Sequence, residues 1–545
     1  MRCDLQPSSC HLCLFVKERT IELYLIASQR RTLRDAMHDW GGIMKRRRHI
    51  EASGVLQREC IEQIGVFVNS PTTFFSFLRA LPHDVLGSPL QSLLTLSKTI
   101  DPSLLWPRLR LEQDLTDMQI MLVRDASILY PYVELSGMWD LKLLHRCLPP
   151  LTEIHLRNTP DDVDVDLPLG SWYQELTLFH VTRIRLCEYF GGFNIPGSCL
   201  TVLSNFSSLR HLQVLCVTAL TALEQHLVFE ALTTCPIESL SLHQSPWELS
   251  GSSVGHLTQW LESPRAMQLG LKHCNAPRPH TRTLIKSLVE STSLRELRFK
   301  YGNVGLALAH RASQLPPNLR ELVLDECHLD SEAMVQLAKL LPSTSLHKLD
   351  VARNRIQDDG ALALAEVLPK TQVEVLNIAN ADVGCRGVMG LALSLPFTCL
   401  QVLELAGNPM GDVAATALAA VLPRCSLLKR LDLSKTLLTD PGTVGIVASL
   451  PACRMLRSVD LSCNWMTFIG AEQAAGLLSR CTDLVELSVA LNPIEERGVV
   501  VLLHALALCR RPLDLNLNVI MPETERQKCL AVARQLGVLK SVTLE

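Results

Sequence analysis

One eleven-residue pattern recurs four times and constrains the fold more than any other feature of this chain. Each copy has apolar residues at its first, fourth, sixth and eleventh positions, and three of the four copies have asparagine at the ninth. The copies start at Leu400, Leu428, Leu456 and Leu484, so successive starts are 28 residues apart. Because the fourth and sixth positions are two residues apart, their side chains point to the same face of a short strand.

Apolar residues at helical spacing follow each strand, as at Leu418 and Leu422 after the first copy. One strand and one helix cannot bury both apolar faces alone, so each unit must stack on the next. This period and pattern are those of leucine-rich repeats. The sequence resembles the ribonuclease-inhibitor type of that family. The resemblance implies an α/β horseshoe with parallel strands on the concave side and helices on the convex side.

Weaker copies of the pattern extend over most of the chain. Their starts are Leu151, Tyr173, Leu209, Ile237, Ala266, Leu294, Leu319, Leu346 and Val373. After the clear block, two more strands fit Leu515 with Leu517 and Val542 with Leu544. We therefore predict a solenoid of about 15 repeats over residues 146–545. An asparagine at the ninth position should hydrogen-bond the backbone where each strand turns into a loop.

A different pattern precedes the repeats. Residues 55–115 concentrate apolar side chains in short runs, separated by helix-capping sequences at 69–73 and 101–103. We interpret residues 51–145 as a compact helical unit. Residues 1–50 form a separate basic segment, with ten Lys or Arg and five Asp or Glu.

The order of these runs resembles an F-box. A first helix of the I-x-x-I-x-x-F kind, a Ser-Pro turn, a second helix over 74–81 and a closing Leu-Trp-x-x-Leu at Leu105, Trp106 and Leu109 carry the resemblance. It implies substrate recruitment to a cullin-RING ubiquitin ligase. The implied adaptor-binding residues are Ile61, Ile64, Phe67, Phe74 and Phe77. The alternative is a helical cap that shields the apolar end of the first repeat, which a solenoid requires in any case.

The strand residues that flank the buried pair should face solvent on the concave side. The candidate partner-binding residues there are Lys348, Asp350, Asn377, Glu404, Arg430, Asp432, Asp460 and Glu486. Neighbouring strands place such side chains about 4.8 Å apart, and like charges that close destabilise a sheet unless something opposes them. The pattern favours a groove for a basic protein partner. The alternative is a face balanced by solvent and by local ion pairs, which contribute little when exposed.

Composition narrows the functional classes. A net charge of −3 argues against a general nucleic-acid binder. The 19 cysteines are odd in number, and Cys425, Cys453, Cys481 and Cys509 recur at the repeat period. We interpret these four as small packing residues in a reducing compartment, and we expect neither disulfides nor a metal site.

The sequence contains no catalytic motif in the structural context that its chemistry requires. Residues 251–255 match the G-x-S-x-G string of hydrolases, but no strand ends directly before them, so they predict a serine-rich helix start. Phosphate-binding G-x-x-x-x-G-K and zinc-binding H-E-x-x-H strings are both missing from the sequence. We expect no enzyme, no cofactor and no metal.

The sequence also bears on location. No apolar run reaches the roughly 18 residues of a membrane span, and the first residues do not match a secretory signal. We expect an intracellular, cytoplasmic protein that does not bind membranes. The basic run at 45–48 is typical either of a solvated surface or of a nuclear import signal.

These features predict a non-enzymatic protein-interaction scaffold, with the F-box resemblance as its more specific form. The regular repeats also resemble those of Ran GTPase-activating proteins, which would imply regulation of a small GTPase. Repeat regions of immune receptors are a third resemblance, although the phosphate-binding domain that accompanies them is not in this sequence.

Overall fold

A computed structural model describes residues 68–82, 86–161, 163–187, 197–215, 220–243, 247–509, 511 and 513–544. The described helices are α1 (Pro71–Ala80), α2 (Ser88–Leu96), α3 (Pro102–Leu105), α4 (Asp117–Ala126), α5 (Leu141–Cys147), α6 (Leu169–Leu176), α7 (Gly197–Val202), α8 (Ala222–Thr234), α9 (Gly251–Leu261), α10 (Arg278–Glu290), α11 (Asn303–Arg311), α12 (Ser331–Leu340), α13 (Gln357–Val367), α14 (Cys385–Ser394), α15 (Gly411–Val421), α16 (Asp440–Ser449), α17 (Phe468–Leu478), α18 (Glu495–Ala507) and α19 (Glu523–Gln535). The 3-10 turns cover Ser127–Leu129, Leu203–Asn205, Leu341–Ser343, Leu368–Lys370, Leu395–Phe397, Leu422–Arg424, Leu450–Ala452 and Leu539–Ser541.

Short strands alternate with these helices. They are β1 (Leu109–Leu111), β2 (Val133–Leu135), β3 (Ile154–Leu156), β4 (Val181–Cys187), β5 (His211–Leu215), β6 (Ser239–His243), β7 (Trp247–Glu248), β8 (Gln268–Lys272), β9 (Cys274–Asn275), β10 (Glu296–Lys300), β11 (Glu321–Asp325), β12 (Lys348–Asp350), β13 (Val375–Asn377), β14 (Val402–Glu404), β15 (Arg430–Asp432), β16 (Ser458–Asp460), β17 (Glu486–Ser488), β18 (Asp514–Asn516) and β19 (Val542–Thr543).

The chain divides into two compact units. Unit 1 comprises Met1–Leu186 with Pro196–Leu209, and unit 2 comprises Cys187–Ile195 with Arg210–Glu545. In unit 1, strands β1 to β4 pair in parallel in chain order. In unit 2, β5, β6, β8 and then β10 to β19 do the same. Strands β7 and β9 form a separate small pair. Parallel neighbours joined through helices are what stacked strand–helix units require.

The central residue of each short strand supplies the core of unit 2. Leu349, Leu376 and Leu403 are fully buried, whereas the residues on either side of them are partly exposed. Successive helices, such as α13 and α14, pack against each other. One side of each strand therefore faces the helices, and the other side is open to a partner.

The ninth-position asparagines connect neighbouring units, as the pattern predicted. Asn408 Oδ1 accepts hydrogen bonds from the backbone nitrogens of Ala381 and Val383, both at 3.0 Å. Its Nδ2 donates to the carbonyls of Ile378 and Leu405 at 2.8 Å. Because the side chain is fully buried, these bonds satisfy backbone groups that would otherwise destabilise the loop. The prediction of strand-to-loop hydrogen bonding is confirmed.

The first strands differ from the sequence-based interpretation. Strands β1 and β2 lie inside residues 51–145, for which the sequence predicts a compact helical unit. Their Leu-Arg-Leu and Val-Glu-Leu sequences carry the same apolar–polar–apolar alternation as the later strands. In β1 this alternation was hidden, because Leu109 also completes the helical spacing from Leu105.

One predicted repeat start was misplaced. The pattern predicts a repeat start at Tyr173, but this residue lies in helix α6, and the strand of that unit is β4. Trp172, Tyr173 and Leu176 are buried together on one side of α6, which is the spacing of a helix face. The remaining predicted starts, from Leu151 to the last strand, each precede or enter an observed strand.

Two smaller predictions are confirmed. Helix α9 begins at Gly251, and the hydroxyl of Ser250 caps it by accepting a hydrogen bond from the Ser253 backbone nitrogen at 3.1 Å. The G-x-S-x-G string is therefore a helix start. Helices α1 and α3 are likewise capped at the predicted places, by Ser70 and Asp101.

The recurring cysteines lie at the helix ends. The thiols of Cys425 and Cys453 each donate to the carbonyl four residues earlier, at 3.5 and 3.2 Å. Burial raises the pKa of Cys425 and of Cys481 to about 11, which keeps both as thiols. Within the described ranges, no group of three or more His, Cys, Asp or Glu side chains is arranged to hold a metal ion.

None of the helices described in the structure is both long and apolar enough to cross a membrane.

Candidate functional site

An acidic row runs across the open side of strands β12 to β16 in unit 2. The parallel register aligns Asp350 with Asn377, Asn377 with Glu404, Glu404 with Asp432, and Asp432 with Asp460. Three carboxylates thus follow one another on adjacent strands, which are about 4.8 Å apart. We call Asp350, Glu404, Asp432 and Asp460 the acidic row.

A second row, on the same side of the sheet, lies two residues earlier on each strand. It aligns Lys348 with Val375, Val402 with Arg430, Arg430 with Ser458 and Ser458 with Glu486. The hydroxyl of Ser458 donates to Glu486 Oε2 at 2.8 Å. The predicted concave-face residues are therefore brought together on one side of one sheet.

The acidic row has no ion-pair partners within the part of the chain that the structure describes. Lys348 and Arg430 form none either, although they lie on the same side of the sheet. These two cations therefore act on the carboxylates only at longer range, where solvent screens them.

Glu404 shows the consequence. Burial raises the pKa of its carboxyl above the ordinary value of 4.5. Arg430 and Lys348 lower that pKa, but Asp432 and Asp350 raise it again. The charged form of Glu404 is thus held in an environment that disfavours it.

Local hydrogen bonds explain where the side chains of this row lie, but they do not require those side chains to be charged. Asp432 Oδ1 accepts from the Ser434 backbone nitrogen at 2.9 Å and from its hydroxyl at 2.7 Å. Asn377 Oδ1 makes the same bond to the Ala379 nitrogen, also at 2.9 Å. An uncharged amide therefore supports this turn as well as a carboxylate does, and the fold does not need the negative charge.

Small residues follow the last residue of each of these strands by two positions, just beyond the acidic row. They are Ala352, Ala379, Ala406, Ser434, Ser462 and Ala490. A strip without large side chains leaves room for an extended segment to lie across the strands. Its own backbone and side chains could then approach the carboxylates closely.

The loops that follow these strands expose apolar side chains that the sequence reasoning missed. Trp465 is 61% exposed, Leu437 53% and Leu491 47%. The Trp465 nitrogen donates to the Leu438 carbonyl at 2.8 Å, so Trp465 and Leu437 lie on adjacent loops. Their signal in the sequence is a large apolar residue next to the ninth position, directly after it at Leu437 and Trp465 and directly before it at Leu491, where the repeat pattern requires none. Exposed aromatic residues beside a polar groove are typical of protein-binding surfaces.

The residues implied by the F-box resemblance are only partly described. Phe74 is fully buried, with its ring stacked on Trp106 at 3.8 Å between centroids. Phe77 is half-buried and therefore presents some surface. Ile61, Ile64 and Phe67 lie outside the described residues, as do residues 1–50 with their basic run. Of the two that the structure describes, Phe77 is the one in a position that a partner could touch.

Comparisons with known families agree with this architecture. The family profile "Leucine Rich repeat" matches residues 343–365, 398–419 and 452–472. These segments contain the strand-to-helix turns of three of the units that carry the acidic row. The fold is a leucine-rich-repeat solenoid. A sequence comparison with curated proteins gives no match.

Two solved structures can be aligned with this chain. A chain of the crystal structure of the Rad7 and Elc1 complex in yeast is 13% identical, with a TM-score of 0.43, and the alignment covers 95% of this chain and 100% of that chain. The structure of the Leiomodin-1 actin-binding site 2 is 16% identical, with a TM-score of 0.23, over 25% of this chain and 80% of that one.

Proposed function

We propose that this leucine-rich-repeat chain is a non-enzymatic scaffold whose unit 2 strands bind a basic segment of a protein partner. Repeat scaffolds present extended open surfaces to protein partners. The acidic row supplies the charge for a segment that carries Lys or Arg, and the adjacent small residues supply the space.

The observation that carries this proposal is the unpaired state of the acidic row. Glu404, Asp432 and Asp460 are neighbours on successive strands, and none has an ion pair in the described chain. Asn377 holds the same local bond without charge, so the fold alone does not account for three acids in succession. A basic partner would relieve their repulsion and gain charge-assisted hydrogen bonds.

The exposed loop residues add an apolar contact to this surface. Trp465 and Leu437 lie beyond the small residues, in the loops that follow the strands carrying Asp460 and Asp432. A partner segment that spans both features would place basic side chains on the strands and one large apolar side chain against Trp465. Aromatic residues of this kind often dominate the binding energy of an interface.

The test uses the full chain and two fluorescent probes, a hexalysine peptide and a hexaglutamate peptide. The variant E404Q/D432N/D460N keeps the size of each side chain and removes the charges. E262Q/E332Q/E366Q is the matched control, because it removes three exposed charges from residues in, or directly after, helices of the same unit.

We expect hexalysine to bind the natural chain and the control equally, and the charge-removed variant about tenfold more weakly, as three exposed ion pairs would give. Equal binding by all three chains would contradict the proposal. So would hexalysine binding that is lost equally in the control, because binding would then follow net charge alone.

Recruitment of substrates to a cullin-RING ligase is the more specific form of the proposal. It rests on the F-box resemblance of the helices before β1 and on the accessible part of Phe77. Full-length tagged chain, precipitated from cell lysate, should retain a cullin-ligase adaptor, and F77A should lose it while R79A, on the exposed side of the same helix, retains it. Absence of the adaptor from the natural chain would leave the helices as a cap of the solenoid.

The alternative is regulation of a small GTPase, which rests on the resemblance of the regular repeats to Ran GTPase-activating proteins. Accelerated hydrolysis of GTP by Ran in the presence of the chain would support it. An unchanged hydrolysis rate at saturating chain would remove it.

A further inference from the structure

The strands of unit 1 carry a charge pattern opposite to that of the acidic row. On their open side, the register aligns Arg110 with Glu134, Glu134 with His155, and His155 with Arg183. Leu156 is aligned with Ile184. Arg157 directly follows Leu156 and Arg185 directly follows Ile184, so the two arginines are also neighbours. Arg108 lies two residues before Arg110. Five arginines therefore share this side of four strands.

A single carboxylate serves three of these arginines. Glu134 is only 5% exposed, and its oxygens lie 3.3 Å from Arg108 Nη1, 3.2 Å from Arg110 Nε and 3.0 Å from Arg157 Nη1. Arg110 also reaches Glu112 Oε1 at 3.3 Å. The carboxylate oxygens of Glu134 are thus fully used by groups that already surround them.

Arg183 and Arg185 are left without such a partner. Neither forms an ion pair within the described residues, and the buried Nε of Arg185 has no hydrogen-bond acceptor. Ile184 between them is fully buried, which places both guanidinium groups on the open side of β4. Arg157, beside Arg185, shares Glu134 with two other arginines. Positive charges this close repel each other unless an anion lies between them.

We propose that Arg157, Arg183 and Arg185 form a binding site for an acidic segment of a protein partner. Guanidinium groups bind carboxylates through paired N–H donors, so two or three aspartate or glutamate side chains would satisfy this cluster. A nucleic acid is the less favoured occupant, because the net charge of −3 argues against a general nucleic-acid binder. The site is separate from the proposed function, since it lies on other strands and takes a partner of opposite charge.

The test again uses the full chain, with a fluorescein-labelled hexaglutamate peptide as the probe and fluorescence anisotropy as the readout. R183E/R185E reverses both unpaired charges, and R183Q/R185Q removes them with less risk to folding. R282E/R311E is the matched control, because it makes the same change of net charge at two exposed helix residues of unit 2. An unchanged thermal midpoint of each variant verifies that it is folded.

We expect hexaglutamate to bind the natural chain and R282E/R311E equally, R183Q/R185Q about threefold more weakly and R183E/R185E at least about tenfold more weakly. Equal weakening in the control would show a net-charge effect and overturn the site. If R183E/R185E does not fold, R183Q/R185Q decides, and binding equal to that of the natural chain would overturn the proposal. Tighter binding of a hexathymidylate, lost in R183Q/R185Q, would assign the arginines to a nucleic acid instead.

Discussion

Glu134 in unit 1 and Glu404 in unit 2 each lie between two fully buried apolar residues of a repeat, but their electrostatic environments are opposite. Burial alone would raise the pKa of Glu134, yet the hydrogen bonds and charges of Arg157, Arg110 and Arg108 outweigh it and hold that pKa below its ordinary value. Burial also raises the pKa of Glu404, and there the neighbouring acids add to the effect. One carboxylate is part of a closed ionic cluster, and the other is open to a partner.

This difference separates charges that maintain the fold from charges that are available for binding. Unit 2 also contains closed clusters, in which Arg298 lies 3.0 Å from Glu296 and 2.9 Å from Glu321, and the nearly buried Asp325 contacts Lys300 and Arg353. The acidic row begins on the strand after these clusters. A repeat scaffold can therefore change from balanced to unbalanced charge between adjacent strands without any change of backbone.

The largest effect should come from opening the closed cluster. E134Q removes the one charge that three arginines share, and we expect it to lower the free energy of unfolding of unit 1 by about 2 kcal/mol. Urea unfolding followed by circular dichroism measures this loss. Stability equal to that of the natural chain would show that the arginines do not depend on Glu134.

The same cluster predicts a pH dependence. Because the pKa of Glu134 is lowered in the folded chain, its contribution is complete above the ordinary value of 4.5 and is lost as the pH falls below it. The difference in stability between the natural chain and E134Q should therefore shrink on acidification. A difference that grows toward low pH would contradict this sign.

A middle-sized effect should follow from opening the cluster around Arg298. Glu296 and Glu321 are directly aligned on neighbouring strands, so R298Q leaves two like charges face to face. We expect a loss of about 1 kcal/mol, detected by urea unfolding and reduced by added salt. R295Q, which changes a nearby arginine with no ion pair in the described chain, is the control and should have a smaller effect.

The smallest effect should have the opposite sign. The raised pKa of Glu404 means that the folded chain favours its protonated form, so this group stabilises below its ordinary value of 4.5 and that contribution is lost as the pH rises through its folded pKa. At neutral pH, E404Q should therefore raise stability, by about 0.5 kcal/mol. A loss of stability would show that the charge of Glu404 stabilises the fold as that of Glu134 does, and this would contradict the comparison.

Most of the fold could be predicted from the sequence, because the repeat pattern determines both the spacing of the strands and which side of each strand is buried. Strands such as β14 and β15 lie where their Leu-x-Leu pairs predict, and the same alternation identified Glu404 and Asp432 as open-side residues. The pattern failed at Tyr173, where an apolar helix face mimics a strand, and at β1, where one leucine fits two spacings.

The binding properties could be predicted only in part. The alternation of apolar and polar residues in a strand predicts which charged side chains face outward. Whether these side chains form ion pairs depends on residues elsewhere in the chain, as where Arg353, in the loop after β12, contacts Asp325. The exposed Trp465 follows a loop bend at Cys463, which has a positive φ of 56°. Neither the ion pair nor the exposed Trp465 could be predicted from a stretch of sequence as short as one strand.

One measurement tests the central comparison most directly. With carboxyl-¹³C glutamate incorporated, and with E134Q and E404Q to assign the two signals, a pH titration should place Glu134 below 4.5 and Glu404 above it. Addition of hexalysine should then lower the pKa of Glu404 and leave that of Glu134 unchanged. Two values on the same side of 4.5, or a Glu404 signal that hexalysine does not shift, would contradict the account.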